Sequence, residues 1–155
     1  MTIFDKPPAH APTRRHIGYL PEHPSVYGYL TGFEFMQLCG RFFNMPPRQL
    51  KHDIPELLSL VKLKEDAWKK HIRTYSKGMM QKLGLAQSML SNPELIFLDE
   101  PTDGVDPIGR KEIRDILTNL RSKGTTIFLN SHLLSEVEMI CDLVAILNKG
   151  DLIKE

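Results

Sequence analysis

The sequence predicts an α/β fold: a parallel sheet flanked by helices, with an α-helical region inserted before the sheet resumes. Leu95 to Leu98, LIFL, is a short, wholly apolar, β-prone run, the pattern of a strand buried on both faces of a parallel sheet. From that run onward the chain alternates strand, helix, strand, helix, strand, which is the rhythm of parallel α/β units. Between Thr31 and about Asn92 the apolar spacing is helical instead. Ligands of open α/β sheets bind at the carboxyl edge, so Asp99 and Glu100, directly behind the run, form a candidate site. One carboxylate can hold a divalent metal while its neighbour orients or deprotonates a water. The competing reading is a solvated loop that contains two acids.

Taken in order, residues 1–16 are rich in proline and polar groups and are expected to be irregular. IGYL, Ile17 to Leu20, reads as a short strand stopped by Pro21. Thr31 caps a helix in which Glu34 completes a capping box, with Phe35, Leu38 and Phe42 at helical spacing. Pro46 and Pro47 end that helix and admit another. The stretch DIPELLSLVKL continues helical, with Asp53 as a possible cap and Pro55 in its first turn. ELIFLDE is a strand, and Asp106 and Pro107 open a helix that runs to Ser122. TTIFLN is a strand, Leu134 to Cys141 a helix, and LVAILN a last strand that turns at Lys149 and Gly150 into DLIKE. The expected organisation is an irregular segment at 1–16, a helical part at about 28–92 and an α/β part at 93–155.

A chain of 155 residues, 41% hydrophobic and 25% charged, suits one soluble globular domain. A net charge of +1 and no long basic stripe argue against nucleic acid as a partner. Cys39 and Cys141 lack metal-ligand and secreted-disulfide spacing and read as buried thiols in a reducing compartment. MTIFDKPPAHAPTRRH lacks the apolar centre of a signal peptide, and no apolar run reaches the length of a membrane span. Met79, Met80 and Met89 read as core filling. His10, His16, His23, His52 and His71 show no metal spacing and read as surface or loop residues.

Short patterns recur in a telling order: YLPE at Tyr19 to Glu22, YSKGMMQKLGLAQ at Tyr75 to Gln87, LIFLDEPT at Leu95 to Thr102, GVDP at Gly104 to Pro107 and NSHLLSEVE at Asn130 to Glu138. Together they resemble the nucleotide-binding domain of ATP-binding cassette (ABC) transporters, from about Ile17 to the end. The style of Tyr75 to Met79 looks more like exporter than importer ATPases. The resemblance implies a P-loop NTPase-like fold, ATP and Mg²⁺ as ligands, a second nucleotide-binding domain in a dimer, and a transmembrane permease. It places the chain in the cytoplasm, peripheral on the inner face of the plasma membrane through that permease.

The resemblance also implies roles. Asp99 would hold Mg²⁺ and Glu100 would polarise the attacking water. His132 would sense the γ-phosphate. Glu22 stands where the family has a glutamine, and it can still face Mg²⁺ but donates no hydrogen bond when ionised. Ser76 and the backbone of Gly78 would meet the γ-phosphate of nucleotide on the other protomer, aided by a helix N-terminus. Lys77 adds a charge where glycine is common; it could favour phosphate or point to solvent. Asp106 matches the loop that crosses the dimer interface, and equally reads as a helix cap. Tyr27, Tyr29, Phe33 and Phe35 lie where the family couples to its permease, and core packing explains them as well.

The family's phosphate loop, Gly-x-x-x-x-Gly-Lys-Ser/Thr, does not occur in these residues. That loop supplies amides and a lysine to the phosphates. The chain thus looks like the C-terminal two-thirds of the domain, its first strands and phosphate loop not included. Three expectations follow: a truncated form of a full ATPase, a non-catalytic partner that dimerises with an intact ATPase, or a pseudogene product. Alone, the piece is expected to be inactive and to expose apolar surface.

Overall fold

The computed structural model of the chain describes residues 2–7 and 10–154. Three strands, β1 (Ile17–Leu20), β2 (Leu95–Asp99) and β3 (Thr126–Asn130), form a parallel sheet in that spatial order. Tyr19 pairs with Phe97 and Phe97 with Phe128, while Leu20, Leu98 and Leu129 share the next rung. The central strand is therefore the one that carries LIFLD. Parallel neighbours require crossovers, and the chain supplies the whole helical part between β1 and β2, and α6 (Pro107–Ser122) between β2 and β3.

Only one face of β2 is dry. Ile96 and Leu98 are fully buried, whereas Leu95 and Phe97 on the other face are partly exposed. There Tyr19 and Phe128 flank Phe97, both more than half exposed, with the Phe97 and Phe128 rings 5.4 Å apart. The expectation of a strand buried on both faces is thus corrected. An apolar run records what a strand can bury, and the described helices cover a single face.

The last predicted strand is also corrected. Ile146–Asn148 (β4) pairs antiparallel with Asp151–Lys154 (β5) as a separate exposed hairpin rather than joining the parallel sheet. The turn at Lys149 and Gly150, both with positive φ, closes it locally. Of the segment expected to be irregular, residues 1, 8 and 9 lie outside the described residues. Ala11–Arg14 is one helical turn (α1), and Ile3 bridges Lys6. α7 (Leu134–Ile140) follows β3.

The capping box at α2 (Gly32–Phe42) forms as expected: Glu34 N–H donates to Thr31 Oγ1 at 3.2 Å and Thr31 N–H to Glu34 Oε2 at 2.8 Å. Phe35 and Met36 point into the core, but Phe42 is 75% exposed. α3 spans Pro47–Leu60, the helix that Pro46 and Pro47 are expected to admit, and Asp53 and Pro55 lie inside it rather than at a new start. Asp53 instead accepts from Gln49 Nε2, one turn back, at 3.0 Å. An internal proline forfeits one backbone bond, and the buried stripe Leu50, Ile54 and Leu58 offsets that loss. A short helix, α4 (Glu65–Trp68), leads to α5 (Lys77–Ser88). Leu83, Leu85 and Ala86 of α5 are fully buried, Met89 is 5% exposed, and Met79 and Met80 pack against the same core.

α5 lies close along β1. A Cβ on Gly18 would stand 2.2 Å from the backbone oxygen of Ser88, a contact that no side-chain adjustment relieves. Gly18→Ala is expected to destabilise the fold by about 1–3 kcal/mol. Urea unfolding monitored by circular dichroism checks this, the expected result being a lower midpoint with the slope unchanged.

Candidate functional site at the carboxyl edge

The sheet register sets the site. Asp99, the last residue of β2, pairs with Asn130, the last of β3, and Asn130 Nδ2 donates to Asp99 Oδ1 at 2.8 Å. Glu100 then turns the chain with φ +48°. A non-glycine residue in the left-handed region costs about 1–3 kcal/mol and persists only where its surroundings impose it. Here its N–H donates to Asn130 O at 2.9 Å, and its carbonyl accepts from Asp103 N–H at 3.1 Å.

That turn sends the Glu100 side chain to the 130–133 loop, where it is 14% exposed. Its Oε1 accepts from His132 N–H at 2.9 Å and faces His132 Nδ1 at 2.9 Å, and its Oε2 accepts from Ser131 Oγ at 3.3 Å. The carboxylate is held, not loose. The Glu100 partnership is the main reason that the His132 imidazole titrates above the ordinary histidine value; Asp103 and Glu22 add smaller contributions of the same sign. The predicted acids and the predicted histidine therefore meet at one edge. Glu22, just beyond β1, is half exposed and 3.6 Å from His23 Nδ1.

The second predicted cluster forms beside it. Ser76 caps α5, its Oγ accepting from Met79 N–H at 3.2 Å. Asp106 caps α6, its Oδ1 accepting from Gly109 N–H at 2.8 Å. Val105, 4% exposed, lies against both Gly78 and Gly109. Lys77, left open between phosphate and solvent, is taken by Asp103 in an ion pair. Gly104, with φ +63°, makes room for it, since a Cβ there would overlap the lysine side chain. The lysine holds the Asp103 carboxyl below the usual carboxylate range.

Asn130, Ser131 and Asp103 carried no role in the sequence reading. Asn130 had a signal, since a residue ending the neighbouring parallel strand falls beside Asp99. Asp103 had none, because its partner Lys77 lies on α5, 26 residues away. Of the aromatics, Phe35 is core and Phe33 packs against it, while Tyr27 and Tyr29 are exposed with rings 5.8 Å apart. Both cysteines are free, and burial pushes the Cys39 thiol up to about 11. Among the described residues no helix is long and apolar enough to cross a membrane.

Adjacent acids at the end of the central parallel strand, beside two capped helix starts, are the arrangement of the class of α/β domains that take their ligand at the carboxyl edge of the sheet. Within that class, the ABC transporter family model matches residues 2–103, and the chain belongs to that family. The match begins upstream of Ile17, so the residues before β1 share the family pattern too. The chain is 52% identical over 141 residues to an uncharacterised ABC transporter ATP-binding protein of Nostoc sp., covering 90% of this chain and 42% of the relative. It is 39% identical over 140 residues to a bacitracin transport ATP-binding protein of Enterococcus faecalis, covering 90% and 44%. A solved ATP-binding subunit of an ABC transporter superposes with a TM-score of 0.78 at 30% identity, over 91% of this chain and 59% of that one. The chain spans less than half the length of these two curated relatives.

A raised histidine value contributes stability that is full below the unfolded-state value and lost as pH rises through the folded-state value. His132 is therefore expected to titrate above free histidine in an NMR pH series of its ring protons. In Glu100→Gln the midpoint should fall towards the ordinary value, and an unmoved midpoint would separate the two residues.

Proposed function

We propose that this chain is part of an ATP-hydrolysing subunit of an ABC transporter, with Glu100 as the residue that polarises the attacking water. The observation that carries the reading is the Glu100 carboxylate: a strained turn and three donors from Ser131 and His132 hold it at the carboxyl edge. Orientation of a water by a fixed carboxylate is what phosphoryl transfer asks of the protein. His132, beside it, is placed to meet the γ-phosphate. Ser76, Lys77, Gly78 and Asp106 would serve nucleotide on a second domain in a dimer.

Asp99 and Glu22 would hold Mg²⁺. Mg²⁺ takes one or two carboxylates and completes its shell with phosphates and water. An acceptor-only carboxylate steadied on one oxygen by Asn130 Nδ2 fits that requirement. When bound, the ion would neutralise charge on the β- and γ-phosphates. A membrane permease is the proposed coupled partner and the sole membrane contact. Export of an antibiotic-like compound is favoured by the style of Tyr75 to Met79 and by the bacitracin relative.

In the protein at its full natural length, Glu100→Gln is expected to lower the rate of phosphate release by about 10²–10⁴-fold while nucleotide binding persists. Phosphate release at saturating ATP and Mg²⁺, with binding of a fluorescent ATP analogue, checks this. Hydrolysis by Glu100→Gln at the unmodified rate would remove Glu100 from the chemistry. Binding to an intact ATPase domain without hydrolysis by either form would favour a non-catalytic partner instead.

A further inference from the structure

Gln81 lies one turn into α5 and is 1% exposed. Its Nε2 donates at 3.0 Å to the backbone carbonyl of Glu22, 59 residues earlier in the chain. The partner is a carbonyl, which can only accept, so the amide nitrogen must face it. The Oε1 on the same side chain is buried with no hydrogen-bond partner among the described residues. Buried polar atoms without partners are uncommon and call for an explanation.

The contact belongs to a longer seam. Gln81, Gly84 and Ser88 fall on one face of α5 at the i, i+3, i+7 spacing. Gly84 lies against Leu20 and Pro24, where a Cβ would stand 2.5 Å from Leu20 Cδ1 and 3.1 Å from Pro24 Cγ. Ser88 O lies over Gly18. α5 thus meets β1 at backbone distance at Gly18 and packs on the side chains of Leu20 and Pro24 further along, and Gln81 is the polar end of the seam. That end lies at the carboxyl edge.

We propose that Gln81 is a positioning residue for Glu22: its side-chain amide fixes the backbone of the loop that aims the Glu22 carboxylate at the metal and ties that loop to the Ser76–Gly78 turn on the same helix. The second half of this inference rests on the proposed nucleotide reading. The tether gives a direct mechanical link between two parts of the site that the sequence places 54 or more residues apart. The Oε1 beside it can only accept, so the partner it would take is a backbone N–H.

The test uses Gln81→Met in the protein at its full natural length; this change keeps the bulk and removes both polar atoms. In the absence of nucleotide, the NMR backbone order parameters of Glu22, His23 and Ser25 are expected to fall from the rigid range towards the flexible one, below about 0.6, with those of β2 and β3 unchanged. Order parameters at 22–25 equal to those of the unmodified protein overturn the tether. Should Gln81→Met not fold, Gly84→Ala, which wedges the same seam one turn along, is expected to give the same local pattern, and its absence there overturns the proposal equally. In the presence of nucleotide, Gln81→Met should raise the Mg²⁺ concentration for half-maximal binding severalfold and leave binding in excess chelator unchanged. Lowered order parameters with an unaltered Mg²⁺ requirement overturn the assignment to Glu22's metal role. Failure of the unmodified protein to bind nucleotide overturns the nucleotide half of the inference and the proposed function together, whereas the order-parameter result stands or falls without nucleotide.

Discussion

The structure depends on β2 being paired on both sides. A strand with β1 on one side and β3 on the other spends its backbone groups on neighbours, and a buried backbone cannot leave them unpaired. Its side chains are then free to be wholly apolar, and its end is located to within a residue by two registers at once. Asp99 and Glu100 inherit that location. Asn130 arrives beside Asp99 because β3 ends on the same rung, and the loop that follows β3 crosses Glu100 through Ser131 and His132. The site is a consequence of where three parallel strands stop.

Elements with local causes were legible in the sequence. The Thr31 and Glu34 box, the caps at Ser76 and Asp106, and the strands at Ile17 and Leu95 each follow from a few adjacent residues, and each is where the spacing put it. Asp53 and Pro55 look locally like a helix start, yet α3 passes through them because Leu50, Ile54 and Leu58 share one buried face. Tertiary burial outweighs a cap-like pair. Phe42 failed in the opposite way: it keeps helical spacing with Phe35, but it falls in the last turn, beyond the reach of the core. LVAILN has the composition of a sheet strand and forms a hairpin, because a turn of Lys149 and Gly150 closes faster in space than a crossover does. Within the site, Asp99, Glu100 and His132 were readable as a pattern. Asp103 with Lys77 and Gln81 with Glu22 were not, since each pairing joins residues whose separation in sequence carries no periodic signal.

Charge arrangement explains how the helices stay registered on the sheet. Lys82 of α5 meets Glu112 of α6 at 2.6 Å with both side chains at most 25% exposed, and Arg114 of α6 meets Glu136 of α7 at 2.9 Å with Glu136 at 10%. Exposed pairs contribute about 0–1 kcal/mol; at these depths, loss of one partner leaves a charge that water reaches poorly. Sequentially, the two pairs join the helix before β2 to the helix after it, and that helix to the one after β3. They hold the crossovers in step with the strands whose ends make the site.

The two helix starts at the site show why a structural and a functional reading need not compete. Ser76 caps α5 with a lone pair of its oxygen, accepting from Met79, which leaves the hydroxyl proton to donate to an anion. Asp106 caps α6 with Oδ1, so its other oxygen keeps its capacity to accept. Lys77 has three donor protons, of which Asp103 takes one. In each case the fold consumes one valence of a group and leaves another at the surface. A residue chosen only as a cap would be served by any of several side chains. A hydroxyl at Ser76 serves as the cap and still has a proton to donate, next to a glycine where an added Cβ would meet nothing closer than 3.6 Å, so the structural role leaves the proposed one open on the same atoms.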